Sequence, residues 1–99
     1  MKMVAGKWNL NILNPHGEIK AVLEVEENGN VLTGKLIDDT ATTEITDGKV
    51  NGAEFSYKVK LGTPFGKMVF TFTGAVDGDN MKGRAKMLMG VMDFVGTRA

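Results

Sequence analysis

The sequence predicts an all-β fold, an eight-stranded antiparallel up-and-down (meander) β-barrel, and three observations carry this prediction. Apolar residues recur at every second position, as in residues 55–61, which is typical of strands with one buried face. Thirteen glycines, several of them in Asn-Gly and Asp-Gly pairs, separate the apolar runs, and such pairs tolerate the positive φ of tight hairpins. No apolar stripe with helical spacing extends beyond one turn.

The first four strands are predicted at about residues 4–13, 18–26, 31–37 and 42–50. In the first of them, Trp8, Leu10 and Ile12 alternate with polar residues. Asp38 and Asp39 follow the third strand, and we interpret this polar stretch as a solvated loop. Adjacent residues on a strand point to opposite faces, so the two carboxylates would not form a catalytic pair there.

The last four strands are predicted at about residues 54–61, 67–76, 80–88 and 91–98. Residues 77–79 read Asp-Gly-Asp, which we interpret as a hairpin turn because the later ligands and closing Glu of a calcium loop are missing. Connections this short make sequence neighbours pair antiparallel. Closure of the sheet removes its exposed edges, and we expect one barrel domain over residues 1–99.

Composition narrows the function classes. Twelve basic and twelve acidic residues cancel, and no stretch of sequence collects enough Lys and Arg to follow a phosphate backbone, so no nucleic-acid partner is expected. There are no cysteines, which excludes disulfides, thiolate metal sites and a cysteine nucleophile. No run approaches the ~20 apolar residues of a membrane helix, so we expect no membrane span. No signal-peptide core is present, so we expect either a cytoplasmic location or a mature or excised domain whose targeting segment is absent.

The alternation also predicts which side chains face the barrel interior. These are Trp8, Phe55, Tyr57, Phe70, Phe72, Met81, Met87, Met92, Phe94 and, at the end of the last strand, Arg98. A buried arginine needs a partner, and in a closed meander the last strand pairs with the first. We therefore expect Arg98 to lie across the indole of Trp8 as a cation–π pair that closes one end of the barrel.

Gly6-Lys7-Trp8 on the first strand, together with Arg98 on the last, resembles the signature of the calycin superfamily, which comprises the lipocalins, fatty-acid-binding proteins, avidins and their relatives. The sequence also resembles uncharacterised small bacterial β domains, some of them attached to hydrolases. The calycin resemblance implies a barrel that holds a small apolar ligand. A helical lid and the Arg-x-Tyr carboxylate clamp of the fatty-acid-binding proteins are absent from the sequence.

Whether the interior is a ligand cavity or a filled core stays open at this stage. A cavity would be lined by Phe55, Tyr57, Phe70, Phe72, Met81, Met87, Met92 and Phe94, with Tyr57 as its polar group and Phe65 as a portal residue. Inward glycines at positions 34, 74, 83 and 96 either leave space or let the strands bend. In the alternative, the same aromatic and methionine side chains fill the barrel.

No constellation in the sequence predicts catalysis, and we expect no enzyme activity, no cofactor and no metal site. His16 is the single histidine and lies in a predicted turn, and Ser56 is the single serine and points outward. Neither can complete a nucleophile–base pair or a multi-histidine metal site. The alternative function is therefore a non-catalytic domain that dimerises or docks through its outer face, where Val69, Leu88, Val91 and Val95 are predicted to be exposed.

Overall fold

A computed structural model describes residues 4–14, 17–39, 41–63, 66–88 and 90–99. All regular structure in these ranges is β-strand. The nine strands are β1 (Gly6–Asn14), β2 (Gly17–Asn28), β3 (Val31–Ile37), β4 (Thr42–Glu44), β5 (Thr46–Asn51), β6 (Glu54–Thr63), β7 (Gly66–Asp77), β8 (Asn80–Met87) and β9 (Gly90–Arg98). None of the described segments is a helix that could cross a membrane.

The strands form one closed antiparallel sheet. Strands adjacent in the chain pair with each other except β4 and β5, which both pair with β3. The order β2-β1-β9-β8-β7-β6-β5-β3-β4 is completed by the pairing of β2 with β3. Strand β9 returns to β1, where Trp8 lies opposite Arg98. Because β4 and β5 together occupy one position in the wall, the eight-stranded meander barrel predicted from the sequence is confirmed.

The fourth barrel strand, predicted as continuous over residues 42–50, is interrupted. Ile45 separates β4 from β5, and its amide donates to the Gly34 carbonyl in the register of the β3–β4 pairing. The register to β3 is shifted by one residue where Lys49 of β5 pairs with Val31. The pairing of β5 with β6 then shifts between Thr46 and Lys49, and Asp47 adopts a φ of 51°. An extra residue in one strand bends it and increases its twist, and alternation of apolar residues carries no signal for such a bulge.

Glycine permits the close strand packing of this small barrel at several positions, of which Gly34 and Gly83 are two. A Cβ on Gly34 would lie 1.9 Å from the Glu24 carbonyl oxygen, and one on Gly83 would lie 1.9 Å from the Thr73 carbonyl oxygen. Gly34 also has a φ of 150°, which disfavours other residues. The backbones of neighbouring strands therefore approach closely at these glycines and leave no room for a side chain there.

The two ends of the barrel differ in the chemistry of their turns. At the end that holds Trp8, which we call the tryptophan end, the connections are polar and have glycines with positive φ at positions 29, 52 and 78. At the opposite end, which we call the distal end, β8 is joined to β9 by a connection that contains Leu88. Leu61, Met68 and Met87 lie half-buried near this end and pack against the core.

Candidate functional site

Arg98 lies across the face of Trp8 at the tryptophan end. Its guanidinium carbon is 4.1 Å from the centroid of the indole ring, while Trp8 itself has no exposed surface. The guanidinium donates to the Ala5 carbonyl at 3.0 Å and to the Gly78 carbonyl at 3.3 Å. Nε also lies 3.4 Å from a carboxylate oxygen of Asp79. One cation thus joins both terminal strands to the β7–β8 turn.

The segment before β1 completes this end of the barrel. The Trp8 Nε1 donates to the Val4 carbonyl at 2.8 Å. One carboxylate oxygen of Glu27 accepts from the amides of Val4 and Ala5 at 2.9 and 3.0 Å. Sequence reasoning missed both Glu27 and Asp79, because the alternation says which face a residue occupies but does not say which exposed carboxylate reaches a given amide.

Four aromatic rings pack against one another in the middle of the barrel. Tyr57 stacks on Phe72 with centroids 4.9 Å apart, and on Phe55 at 6.1 Å. Phe94 contacts Phe72 and Phe55 with tilted rings at 5.4 and 6.4 Å. All four side chains are buried, and distances in this range are those of directly packed aromatic pairs. We call these four residues the aromatic cluster.

The inward glycines do not leave free space beside the aromatic cluster. A Cβ on Gly74 would meet the ring tips of Phe55 and Phe94 at 2.9 and 3.1 Å. A Cβ on Gly96 would meet Leu10 and Met81 at 2.6 and 2.8 Å. The space opposite each glycine is thus taken by a large side chain from a neighbouring strand, as in a close-packed core.

The remaining predicted lining residues occupy the same core. Phe70, Met81 and Met92 are buried, and Met87 is half-buried at the distal end. Two grooves in the described structure lie instead along the strands. One, of about 850 Å³, follows residues of β1–β4 around Gly34, and the other, of about 800 Å³, follows residues of β6–β9 and the end of β1 around Gly74 and Gly83.

The Tyr57 hydroxyl differs from the rest of the core. The Tyr57 side chain is 1% exposed, yet in the described structure its hydroxyl has no hydrogen-bond partner. Burial raises the pKa of Tyr57 well above its ordinary value. An unpaired buried hydroxyl costs about 1–3 kcal/mol, and a phenylalanine, as at three neighbouring positions, would fill the same space without that cost.

The outer surface of β7–β9 carries exposed apolar and basic side chains. Val69, Val91 and Val95 are 49%, 54% and 44% exposed, and Leu88 is 93% exposed. Leu13, which the sequence analysis did not select, is 42% exposed and lies opposite Asp93 of β9. The fold also brings together basic residues that are spread along the sequence. These are Lys58, Lys60, Lys67, Lys82, Arg84 and Lys86.

The residues weighed for chemistry do not converge on a reacting centre. Ser56 is half-buried on β6, while His16 and the predicted portal residue Phe65 lie outside the described residues. Asp38 accepts a hydrogen bond from the Ala41 amide in the β3–β4 connection. Across the described ranges, no three His, Cys, Asp or Glu side chains come together in a way that could hold a metal ion.

Comparisons with known proteins support the fold. A solved structure described as a redesigned β-barrel superposes with a TM-score of 0.73, covering 97% of this chain and 91% of its own, at 13% sequence identity. At this identity the likeness shows the barrel fold alone. No protein-family model matches the sequence, and the comparison with curated proteins gives no match.

Proposed function

We propose that this chain is a non-catalytic association domain, a filled barrel that pairs with a second copy through the outer surface of β7–β9. The observation that carries the proposal is the exposed apolar set on this surface, Val69, Leu88, Val91 and Val95. Exposed apolar residues that gather on one surface are typical of protein–protein interaction sites. Because side chains of the protein occupy the barrel interior, we assign partner binding to the outer surface.

The charges at the centre of this surface fit a second copy. Arg84 and Asp93 are cross-strand neighbours, and their side chains are 3.6 Å apart and about two-thirds exposed. A two-fold axis parallel to the strands would place each Arg84 against the second copy's Asp93, so that both pairs form reciprocally. The same rotation would lay Val95 against the aliphatic stem of Lys82, since these two residues are also neighbours across the β8–β9 pair.

The barrel has enough surface for a dimer interface of ordinary size. A standard interface covers about 800 Å² per partner, and the monomer exposes 6363 Å² in total. The interface would therefore take about an eighth of the surface. Because the pair is built on exposed charges, we expect association to weaken as salt is raised.

A charge exchange tests the proposal. Arg84→Asp and Asp93→Arg should each weaken dimerisation at least tenfold in sedimentation equilibrium, because each places like charges across the interface. The double exchange should restore it. Val95→Glu should dissociate the dimer, whereas Val31→Glu, on the opposite wall at a similarly exposed position, should not. A chain that stays monomeric at high concentration, or single exchanges that change nothing, would contradict the proposal.

We also propose that the chain is related to the calycins. Its support is the Gly6-Lys7-Trp8 segment with Arg98 stacked over the indole, in an eight-stranded meander of the kind that calycins have. We expect a cytoplasmic location, no cofactor and no catalytic activity. The resemblance to small domains attached to hydrolases would fit a role in holding chains together.

One observation favours a second function, the binding of a small apolar ligand inside the barrel. The unpartnered Tyr57 hydroxyl would donate to a carbonyl group on an aromatic ligand that displaces the half-buried Met68 and Met87. Titration with a dimethylaminonaphthyl ketone, whose emission reports hydrogen bonding, tests this. Saturable binding that Tyr57→Phe weakens would favour the ligand site, and absence of binding would exclude this class of ligand.

A further inference from the structure

The distal end of the barrel combines exposed apolar side chains with unpaired cations. Leu88 is 93% exposed in the connection between β8 and β9, a place where hairpins usually carry Gly, Asn or Asp. Val69 on the adjacent strand β7 is 49% exposed. The β7–β8 pairing of Thr71 with Lys86 brings Val69 and Leu88 to the same level of the wall.

Lysines surround these two apolar residues. Lys60 is the cross-strand neighbour of Val69, and Lys67 lies two residues before Val69 on the same strand. Lys86 precedes Leu88 by two residues at the end of β8. Among the described residues, none of the three lysines forms an ion pair with a carboxylate. We call Lys60, Lys67, Val69, Lys86 and Leu88 the tip patch.

The strands that carry the tip patch have acidic residues only at their tryptophan end, where Glu54 begins β6 and Asp77 ends β7. The sequence has no acidic residue from Phe55 to Val76, or from Asn80 to Met92. The acidic residues of the chain concentrate on other walls, with seven between residues 17 and 44 against two basic ones. The barrel therefore has a zero net charge but a positively charged side at its distal end, which sequence composition alone does not reveal.

We propose that the tip patch binds the surface of an anionic lipid membrane. A protruding leucine inserts into the boundary between headgroups and acyl chains, while flanking lysines contact acidic headgroups at the level of the surface. The patch suits a membrane better than a folded partner because its most exposed residue lies at a convex turn rather than in a groove. The tip patch shares Val69 and Leu88 with the surface proposed for the dimer, whereas the Arg84–Asp93 pair lies further along the strands. Loss of vesicle binding in a variant that lacks the tip-patch lysines is therefore a result that dimerisation alone does not predict.

The absence of cysteine in the chain allows a direct test. A Leu88→Cys variant labelled with nitrobenzoxadiazole reports insertion by brighter, blue-shifted emission, and a labelled Val31→Cys variant is the matched control at an exposed apolar site on the other wall. With vesicles of phosphatidylcholine containing one third phosphatidylserine, the label at position 88 should brighten and the label at 31 should not. Pure phosphatidylcholine vesicles should leave both unchanged.

Vesicle co-sedimentation of the otherwise unaltered chain then tests the charges. The triple variant Lys60→Gln, Lys67→Gln, Lys86→Gln should lower the partition coefficient about a hundredfold, and Leu88→Ser should lower it about tenfold. The control triple Lys7→Gln, Lys35→Gln, Lys49→Gln, on β1, β3 and β5, should have a much smaller effect.

Four results would overturn the proposal. One is absence of binding to the anionic vesicles at low salt, and another is equal response of the labels at positions 88 and 31. The third is equal loss of binding in the two lysine triples. Competition of the vesicle binding by equimolar duplex DNA or polyglutamate would also overturn it, because the patch would then be a general polyanion site.

Discussion

Replacement of Arg98 by methionine gives a quantitative test of how the tryptophan end is closed. Methionine keeps the aliphatic bulk of the side chain and removes the cation that lies 4.1 Å from the indole centroid. The cation–π contact contributes about 1–2 kcal/mol because Trp8 is fully shielded from water. The charged hydrogen bond to the Ala5 carbonyl, at 3.0 Å, contributes about 1.5–3 kcal/mol.

The ion pair with Asp79 adds little, because the Asp79 side chain is 87% exposed. The expected loss in the free energy of unfolding for Arg98→Met is therefore about 3 kcal/mol, a large fraction of the roughly 5–15 kcal/mol of a typical domain. In a chain of this length it should lower the Tm by about 12–24 °C. Trp8 is the single tryptophan, so urea unfolding followed by its emission measures the change at the relevant site.

Lys58→Met is the matched control for the arginine variant. Lys58 forms an ion pair with Asp47 at 3.8 Å, but both side chains are about half or more exposed, so its loss should cost under about 1 kcal/mol. The native emission of Trp8 should shift in Arg98→Met and stay constant in Lys58→Met. Equal stabilities of the two variants, with unchanged emission in both, would refute the closing role assigned to Arg98.

Two further predictions concern packing and ionisation inside the barrel. Gly83→Ala should destabilise the fold by about 3 kcal/mol or more, because its Cβ would overlap the Thr73 carbonyl. The control Gly62→Ala, whose Cβ would have no atom within 4 Å, should change the stability by less than about 0.5 kcal/mol. Thermal unfolding of both variants measures the difference, and equal Tm values would argue against the close strand packing. Tyr57→Phe should raise the free energy of unfolding by about 1–2 kcal/mol in urea unfolding, because it removes a buried hydroxyl that has no hydrogen-bond partner in the described structure. A lower free energy of unfolding would mean that the hydroxyl forms a hydrogen bond. Because burial raises the pKa of Tyr57 in the folded state, the wild type should lose about 1.4 kcal/mol per pH unit above its unfolded pKa of about 10, a loss that the phenylalanine variant lacks.

The sequence was sufficient for the fold because the fold depends on periodicity. Alternation at Trp8, Phe72 and Phe94 assigns the buried face, and short Asn-Gly and Asp-Gly turns leave antiparallel pairing of neighbours as the simple solution. The pairing of Trp8 with Arg98 follows from closure of the last strand onto the first. Each of these inferences uses local pattern and chain connectivity alone.

Features that depend on distances between strands could not be predicted in this way. The bulge at Asp47 and the interruption at Ile45 arise from how β5 meets β6 in three dimensions. The partners of Arg98 and of the Val4 amide are set by side-chain reach rather than by period. Whether Gly74 leaves a void depends on the ring positions of Phe55 and Phe94, and those rings close the space.

The basic side of the barrel shows the same limit for surface properties. Lys60, Lys67 and Lys86 are spread over 27 residues of sequence, and alternation with threonine and valine makes each look like an ordinary exposed charge. The β6–β7 and β7–β8 pairings place them together. A chain with equal numbers of basic and acidic residues can therefore fold into a barrel with its positive charge concentrated on one side.

Native mass spectrometry of the freshly purified chain, without added ligand, tests the central claim that the interior is filled and that function lies on the outer surface. The expected result is the mass of the bare chain and twice that mass, with the dimer weakened in Val95→Glu. A co-purified small molecule, lost on denaturation, would contradict the account and identify the barrel as a ligand carrier.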